Sequence, residues 1–392
     1  MISKKYITEI GYLSVNHVGE ELCGDHVEVV CPNEDTKILV LADGLGSGVK
    51  ANILSTLTSE MLSTMFANNL SIEECVKTIA ETLPVCAWRK IAYSTFTIIK
   101  VVKNQFVEIY NYDNPLPFLI RDGVAMDINY SKLCIENKDI YYAKLECGIN
   151  DAFFLMSDGA IHAGIGQTLN FGWEENDIKE FMQANYQEQF SAKSLATILV
   201  DKCNELYNHE PGDDTTAAVV KIRERNQVNL LIGPPSNKDD DNKMLSLFFA
   251  KEGEHIVCGG STSNMVAKYL NKPLELALDY VDENIPPISR IEGVDLVTEG
   301  VITINRVLEY ARNVLDDNTD YFSWCYQQDG ASLISQYLFE TATDINFFVG
   351  GAINPAHQHE GIPINFTIKM KLVDELVKLL KQMDKNIKVS YF

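Results

Sequence analysis

The chain has 392 residues, of which 46% are hydrophobic and 22% are charged. This length exceeds that of a typical single domain and predicts two compact domains, each with enough apolar material for its own core. The 55 acidic and 33 basic side chains give a formal net charge of −22. That charge argues against nucleic acid or an anionic membrane as a partner, since both are bound mainly through Lys and Arg.

The sequence indicates a soluble, cytoplasmic protein. No apolar run of signal-peptide length follows Met1, and no run of about 18 apolar residues occurs in the chain. The nine cysteines are irregularly spaced and form no CxxC pair. This spacing predicts reduced thiols rather than a zinc ribbon or a disulfide framework.

In the first half of the chain, predicted helices are grouped between runs of predicted strands. A buried strand at Lys37–Asp43 precedes two helices, and a Ser-x-x-Glu capping box at Ser71 opens the second. The grouping predicts an α+β fold rather than a doubly wound one. The remaining predicted elements are helices over Lys50–Phe66 and Ser71–Leu83, hairpin strands at Ser94–Val102, Phe106–Tyr112 and Phe118–Arg121, a buried strand at Ala152–Met156, helices from about Glu174 and from Ser191, and a closing strand at Thr215–Ile222.

The second half alternates strands with helices, which predicts βαβ units and a mostly parallel sheet. A polar stretch at Arg223–Gln227 separates the two patterns, so we predict domains at 1–225 and 226–392. The predicted strands are Asn229–Gly233, Glu254–Cys258, Val294–Val297 and Ile387–Tyr391, and the predicted helices are Asp240–Ala250, Thr262–Leu270, Thr303–Leu315 and Met370–Met383.

Acidic residues stand at strand-to-turn junctions of the first half. They are Asp25, Asp43, Asp158 and the pair Asp213 and Asp214. Taken singly, an Asp-Gly dipeptide is usually only a turn. If these strand ends meet at one sheet edge, the clustered carboxylates repel one another and require cations, and oxygen-only ligation selects Mg²⁺ or Mn²⁺.

The order of these motifs resembles the SpoIIE-like branch of the metal-dependent type 2C serine/threonine protein phosphatases. The motifs are Gly-Asp, Asp-Gly-x-Gly-x-Gly before a helix, Ser-Asp-Gly after an apolar strand, and Gly-Asp-Asp-Thr-Thr before a closing strand. The resemblance covers about residues 5–222. It implies a β-sandwich flanked by helices, with two metal ions at one end.

The resemblance also implies a role for each acidic residue. Asp43 would bridge two Mn²⁺ or Mg²⁺ ions, Gly44 would offer its carbonyl, and Asp25 would help hold one ion. Asp158 and Asp213 would hold the other, and whether Asp214 shares this task is left open. Asp43, Asp158 and Asp213 are therefore the expected catalytic residues. Water activated between two such ions could attack a phosphate in line, without a covalent enzyme intermediate.

The implied substrate is a regulatory partner protein carrying phosphoserine or phosphothreonine, as in partner-switching systems. Two alternatives stay open. The turn Gly44–Gly48 could instead cradle a phosphate at a helix N-terminus, although Asp43 would repel it. The fold could also be a catalytically idle scaffold, but all the expected aspartates are present.

The second half resembles a C-terminal extension of some SpoIIE-like phosphatases from anaerobic bacteria, which implies a sensory or regulatory role. Glycine-rich turns at Cys258–Asn264 and Phe348–His359 follow predicted strands, where open parallel sheets bind ligands. A small molecule or nucleotide is therefore an expected ligand, with plain structural turns as the alternative. Glu299 could face the same cleft, and His357 and His359 could ligate a metal. A homodimer is left open.

Overall fold

The computed structural model describes residues 5–33, 35–82, 94–276, 285–352 and 364–392. The chain divides into two compact units, Met1–Glu224 and Arg225–Phe392. Within the described residues, no helix is both long and apolar enough to cross a membrane.

The first unit contains two antiparallel sheets and five helices among its described residues. Its strands are β1 (Tyr6–Val15), β2 (Asp25–Asn33), β3 (Thr36–Gly44), β4 (Ser94–Val102), β5 (Phe106–Tyr112), β6 (Phe118–Arg121), β7 (Val124–Asp127), β8 (Ser131–Ile135), β9 (Lys138–Glu146), β10 (Ala152–Met156) and β11 (Thr215–Glu224). Its helices are α1 (Gly48–Ala67), α2 (Ile72–Thr82), α3 (Asp158–His162), α4 (Glu175–Asn185) and α5 (Ala192–Leu206). The sheet orders are β1-β11-β10-β6-β7 and β2-β3-β4-β5-β9-β8.

Strand β3 shows how the layers pack. Successive side chains of a strand point to opposite faces, and both faces of β3 are buried. Leu39 and Leu41 join a core shared with the other sheet, which contributes residues such as Phe153. Ile38 and Val40 instead pack against α1 and α2. The unbroken apolar run of β3 thus places its last residues, Asp43 and Gly44, at the edge of a rigid layer.

The mixed α+β class is confirmed. Strands β4, β5, β6 and β10 have the predicted bounds. The capping box of α2 is formed, because the Ser71 amide donates to Glu74 Oε2 at 2.9 Å and the Glu74 amide donates to Ser71 Oγ at 3.3 Å. Strand β1 and the strands β7 to β9 were not predicted. Strand β1 pairs with β11, about 200 residues later in the chain, along its full length.

The second unit is built on one sheet. Its strands are β12 (Gln227–Ile232), β13 (Glu254–Cys258), β14 (Glu275–Leu276), β15 (Ser289–Arg290), β16 (Leu296–Thr298), β17 (Asp344–Val349) and β18 (Asn386–Tyr391). Its helices are α6 (Asp241–Phe249), α7 (Gly260–Leu270), α8 (Val301–Leu315), α9 (Tyr321–Trp324), α10 (Gly330–Ser335) and α11 (Ile364–Gln382), with a π-helical segment at Gln336–Thr341. The sheet order is β14-β15-β16-β13-β12-β17-β18.

Five of these strands pair in parallel, in the order β16-β13-β12-β17-β18. Leu231 and Val257 face α6 and α7, while the alternate residues Leu230 and Ile256 are also fully buried, so the strands are covered on both faces. Strand β17 corrects one sequence interpretation. Phe348 belongs to this central strand, and the glycine-rich turn begins only after Val349.

Candidate metal centre

Strand ends of both sheets bring the predicted acidic residues together. Asp25 opens β2 and Asp43 lies next to the end of β3, and the two are direct partners in the antiparallel register. From the other sheet, Asp158 follows β10, and Asp213 and Asp214 precede β11. Strands β10 and β11 are antiparallel neighbours, so the end of one lies beside the start of the other. The charges of Asp25, Asp158 and Asp213 all act on the Asp43 carboxyl.

A carboxylate–imidazole group lies within this cluster. One ligand atom from each of Asp158, His162 and Asp213 lies within 4.8 Å of the other two. Asp158 and His162 are the first and last residues of α3, and an i, i+4 spacing places them on one helix face. His162 was missed by the sequence reasoning, which stopped at the Ser-Asp-Gly motif. Its position four residues after Asp158 was the available signal.

Asp25 and Asp214 are the most deeply buried residues of this acidic cluster, and Asp25 is the one with neither carboxylate oxygen partnered among the described residues. Asp25 is 3% exposed. Burial, followed by the charges of Asp214 and Asp158, raises the pKa of Asp25, and the nearby Ser157 and Thr216 hydroxyls only partly oppose the rise. These hydroxyls do not reach hydrogen-bonding geometry with the carboxylate.

Both hydroxyls are engaged elsewhere. Ser157 Oγ accepts the Thr216 amide hydrogen at 2.9 Å, and Thr216 Oγ1 lies 2.7 Å from Ser14 Oγ. A buried carboxylate without a partner is costly for a protein. Its position at the meeting point of two sheets suits a cation-binding site.

The pKa values of the neighbouring carboxyls are raised for the same reasons. Burial, and then the charges of Asp25 and the other aspartates, raises the pKa of Asp43. Burial and the charge of Asp158 likewise raise the pKa of Asp213. Such a cluster accepts protons or cations readily, and hard divalent cations suit an oxygen-rich donor set. The residues present therefore fit Mg²⁺ or Mn²⁺.

Asp213 and Asp214 face different parts of the cluster. Asp213 belongs to the group with Asp158 and His162. Asp214 acts instead on Asp25, and its Oδ1 accepts the His17 amide hydrogen at 3.0 Å. Its Oδ2 is buried without a partner among the described residues. The adjacent aspartates thus contribute to different sides of one centre, Asp213 beside Asp158 and Asp214 beside Asp25.

Two glycines allow the turns to approach this closely. A Cβ on Gly159 would lie 2.2 Å from the Asp214 carbonyl oxygen, and a Cβ on Gly44 would lie 2.1 Å from the Ala51 carbonyl oxygen. Any side chain at either position would push apart the elements that carry the aspartates. The Asp-Gly pairs are therefore packing requirements as well as turn signals.

The turn before α1 does not have the surroundings of a phosphate cradle. The Glu20 carboxylate lies at the start of this helix, where Ser47 Oγ donates to Glu20 Oε1 at 3.4 Å. A Cβ on Gly48 would meet Glu20 Oε2 at 2.5 Å. A negative side chain thus occupies the helix N-terminus, which is where an anion would be stabilised. This arrangement disfavours the phosphate interpretation of Gly44–Gly48.

Residues 33–223 match the family model described as Stage II sporulation protein E (SpoIIE). The N-terminal unit is similar to the SpoIIE family over most of its length. No curated protein sequence matches the chain. The structure is similar to that of the PP2C phosphatase domain and a regulatory-domain fragment of SpoIIE from Bacillus subtilis, with 20% identity and a TM-score of 0.49, covering 56% of this chain and 64% of that one.

Two further solved structures are similar to parts of this chain. The RsbU and RsbW domains of a Mycobacterium tuberculosis protein match with 14% identity and a TM-score of 0.47, covering 62% of this chain and 67% of that one. The catalytic domain of the serine/threonine protein phosphatase PstP, solved with two manganese ions, matches with 15% identity and a TM-score of 0.38, covering 56% and 100%.

The second unit lies outside the SpoIIE match. Its central strands β12, β13, β16 and β17 are followed by glycines within two residues, at Gly233, Gly259, Gly300 and Gly350. The Gly233 amide donates to Thr262 Oγ1 at 3.0 Å, which joins the end of β12 to α7.

Two sequence expectations for this unit have different outcomes. Glu299 Oε2 accepts the Ile302 amide hydrogen at 3.1 Å, so this carboxylate caps the first turn of α8. His357 and His359 lie outside the described residues. The expectation that they ligate a metal therefore stays a prediction.

Proposed function

We propose that the first unit is a metal-dependent protein serine/threonine phosphatase that hydrolyses phosphoserine or phosphothreonine on a regulatory partner protein. The match of residues 33–223 to the SpoIIE family model supports the reaction class. The observation that carries the proposal is the convergence of five aspartates, one of which, Asp25, has a buried carboxylate with no partner among the described residues. An idle scaffold has no use for such a costly arrangement.

Bound Mn²⁺ or Mg²⁺ ions would neutralise the phosphate and lower the pKa of a water molecule so that it is nucleophilic near neutral pH. The residues of the chain would hold these ions and set the distance between them. Aspartates from both sheets act on Asp43, so Asp43 is suited to contact both ions, with the Gly44 carbonyl beside it. Asp158 and Asp213 would hold one ion, and Asp25 would help hold the other. Rigid strand ends fix these positions in advance.

The decisive test compares phosphate release from phosphoserine and phosphothreonine peptides by the full chain with and without Mn²⁺ or Mg²⁺. Asp43→Asn and Asp158→Asn keep side-chain shape but remove the charge, so we expect each to lose at least about a hundredfold in rate, as when a metal ligand or its support is lost. Asp177→Asn, on the exposed first turn of α4, is the matched control. Activity that survives chelation, or a wild-type rate for Asp43→Asn, would refute the proposal.

We further propose that residues 226–392 form a regulatory domain that binds a small ligand. Support comes from the glycines at four adjacent parallel strand ends, since open sheets bind ligands at this edge. The strand order reverses between the neighbouring strands β12 and β17, and such a switch point is the position that ligands of open sheets prefer. A nucleotide panel that neither shifts the thermal unfolding of the full chain nor changes its phosphatase rate would count against nucleotides as this ligand.

A further inference from the structure

His162 has no structural task that explains its position. Its side chain is exposed and makes no hydrogen bond to any described residue. It nevertheless stands with a ring nitrogen within 4.8 Å of carboxylate oxygens of both Asp158 and Asp213. Two ligands of one divalent ion lie at most about 4.4 Å apart, because each bond is about 2.0–2.2 Å long. Shifts of a few tenths of an ångström would let the three side chains share one ion.

A second observation supports a cation in this region. Asp25 is 3% exposed with both oxygens unpartnered among the described residues, and the charge of Asp158 acts on it. Asp158 thus belongs both to the buried acidic cluster and to the group with His162. The imidazole therefore lies at the rim of a centre that lacks positive charge.

An imidazole nitrogen changes which ion such a centre prefers. Mg²⁺ favours oxygen ligands and keeps several waters, whereas imidazole suits first-row transition metals. Carboxylates and imidazole together suit ions such as Mn²⁺, Fe²⁺ or Zn²⁺. An all-carboxylate group at the same place would discriminate less strongly between these ions and Mg²⁺.

We propose that His162 is a metal ligand that makes the Asp158–Asp213 cation position selective for a transition-metal ion over Mg²⁺. This inference rests on the proposed function, because it adds a nitrogen ligand to the same centre. The two ion positions would then prefer different metals, since Asp25 and Asp43 offer only oxygen ligands at the other position.

Pulsed electron paramagnetic resonance tests the proposal without any activity measurement. The full chain is given half an equivalent of Mn²⁺ in excess Mg²⁺, so that Mn²⁺ collects at the selective position. We expect ¹⁴N modulation from a directly bound imidazole in the wild type and its loss in His162→Asn. The matched control is His209→Asn, an exposed histidine with a positive φ that asparagine tolerates, and it should keep the modulation.

Competition binding supplies a second measurement. The ratio of the Mg²⁺ to the Mn²⁺ dissociation constant should fall about tenfold or more in His162→Asn, which is the scale on which metal sites respond to lost ligand support, and should not change in His209→Asn. Bound Mn²⁺ without ¹⁴N modulation, or an unchanged ratio in His162→Asn, would overturn the assignment of His162 while leaving the phosphatase proposal intact. A wild-type chain that binds neither Mn²⁺ nor Mg²⁺ would overturn both.

Discussion

Replacing Asp25 by Asn should stabilise the metal-free protein and weaken its response to metal. The Asp25 carboxyl is buried among other acidic groups, and this raises its pKa from the ordinary 3.8 to about 8. Between these values the folded state keeps a proton that the unfolded chain has released. Folding stability contributed by this group is therefore lost as the pH rises through that interval.

The change in folding stability per pH unit has an upper limit, because only one proton is involved. Each pH unit between about 4 and 8 costs up to about 1.4 kcal/mol. Asparagine has nearly the same shape and carries no charge at any pH. The stability difference between Asp25→Asn and the wild type should therefore grow by up to about 1.4 kcal/mol per pH unit from pH 5 to pH 8 and then become constant.

Urea unfolding of both proteins in the presence of a chelator, at several pH values, measures this difference. The second unit is the same in both proteins, so its contribution cancels. Saturating Mg²⁺ should reverse the order, since an ion bound only by the folded state stabilises it by mass action and the wild type offers one more ligand. Asp177→Asn should follow the wild type under every condition.

A pH-independent difference between Asp25→Asn and the wild type would refute this reasoning. So would a metal-free wild type that is more stable than Asp25→Asn at pH 8. Either result would mean that Asp25 has a hidden partner and that its burial costs nothing. The case for a cation at this position would then lose its main support.

Two further substitutions test other parts of the first unit. Gly159→Ala should destabilise it by about 1–3 kcal/mol and weaken Mn²⁺ binding, because the new Cβ would lie 2.2 Å from a backbone oxygen; thermal unfolding and metal titration measure both effects. Arg121→Met should cost about 2–3 kcal/mol in urea unfolding, since it strips the buried Asp151 of its ion pair at 2.6 Å, but should leave Mn²⁺ affinity unchanged.

Each of these substitutions has an informative comparison. A Cβ on Gly148 would meet nothing closer than 3.9 Å, so Gly148→Ala should be nearly neutral, and equal effects at Gly148 and Gly159 would contradict the packing argument. Asp151 lies at the opposite end of β10 from Asp158. A change in Mn²⁺ affinity in Arg121→Met would therefore show that the two ends of this strand are coupled.

Local sequence patterns were enough to predict elements in which the residues and the flanking turns all favour the same secondary structure. The hairpin strands β4 and β5 carry β-branched and aromatic runs between clear turn signals, and their bounds were predicted correctly. Strand β1 lacks such a run, because Glu9, Gly11 and Ser14 interrupt its apolar residues. It becomes a strand through pairing with β11. That pairing is a tertiary contact which no local pattern reports.

The candidate metal centre was likewise predictable only in part. Each Asp-Gly pair is visible in the sequence as a turn, and the order of the motifs indicated a common site. The sequence could not show that Asp25 and Asp214 are the most buried of these aspartates, or that Asp213 and Asp214 have different neighbours in the cluster, since both depend on how two sheets pack. His162 was missed because its importance arises only when α3 forms and carries it toward Asp213.

The direct pairing of Asp25 with Asp43 has a consequence for the order of folding. These two residues meet once a single hairpin has formed, whereas Asp158 and Asp213 join them only after strands more than a hundred residues apart have come together. A complete set of ligands therefore exists only in a nearly native chain. The cation therefore cannot nucleate folding. It should bind late and lower the unfolding rate rather than raise the folding rate.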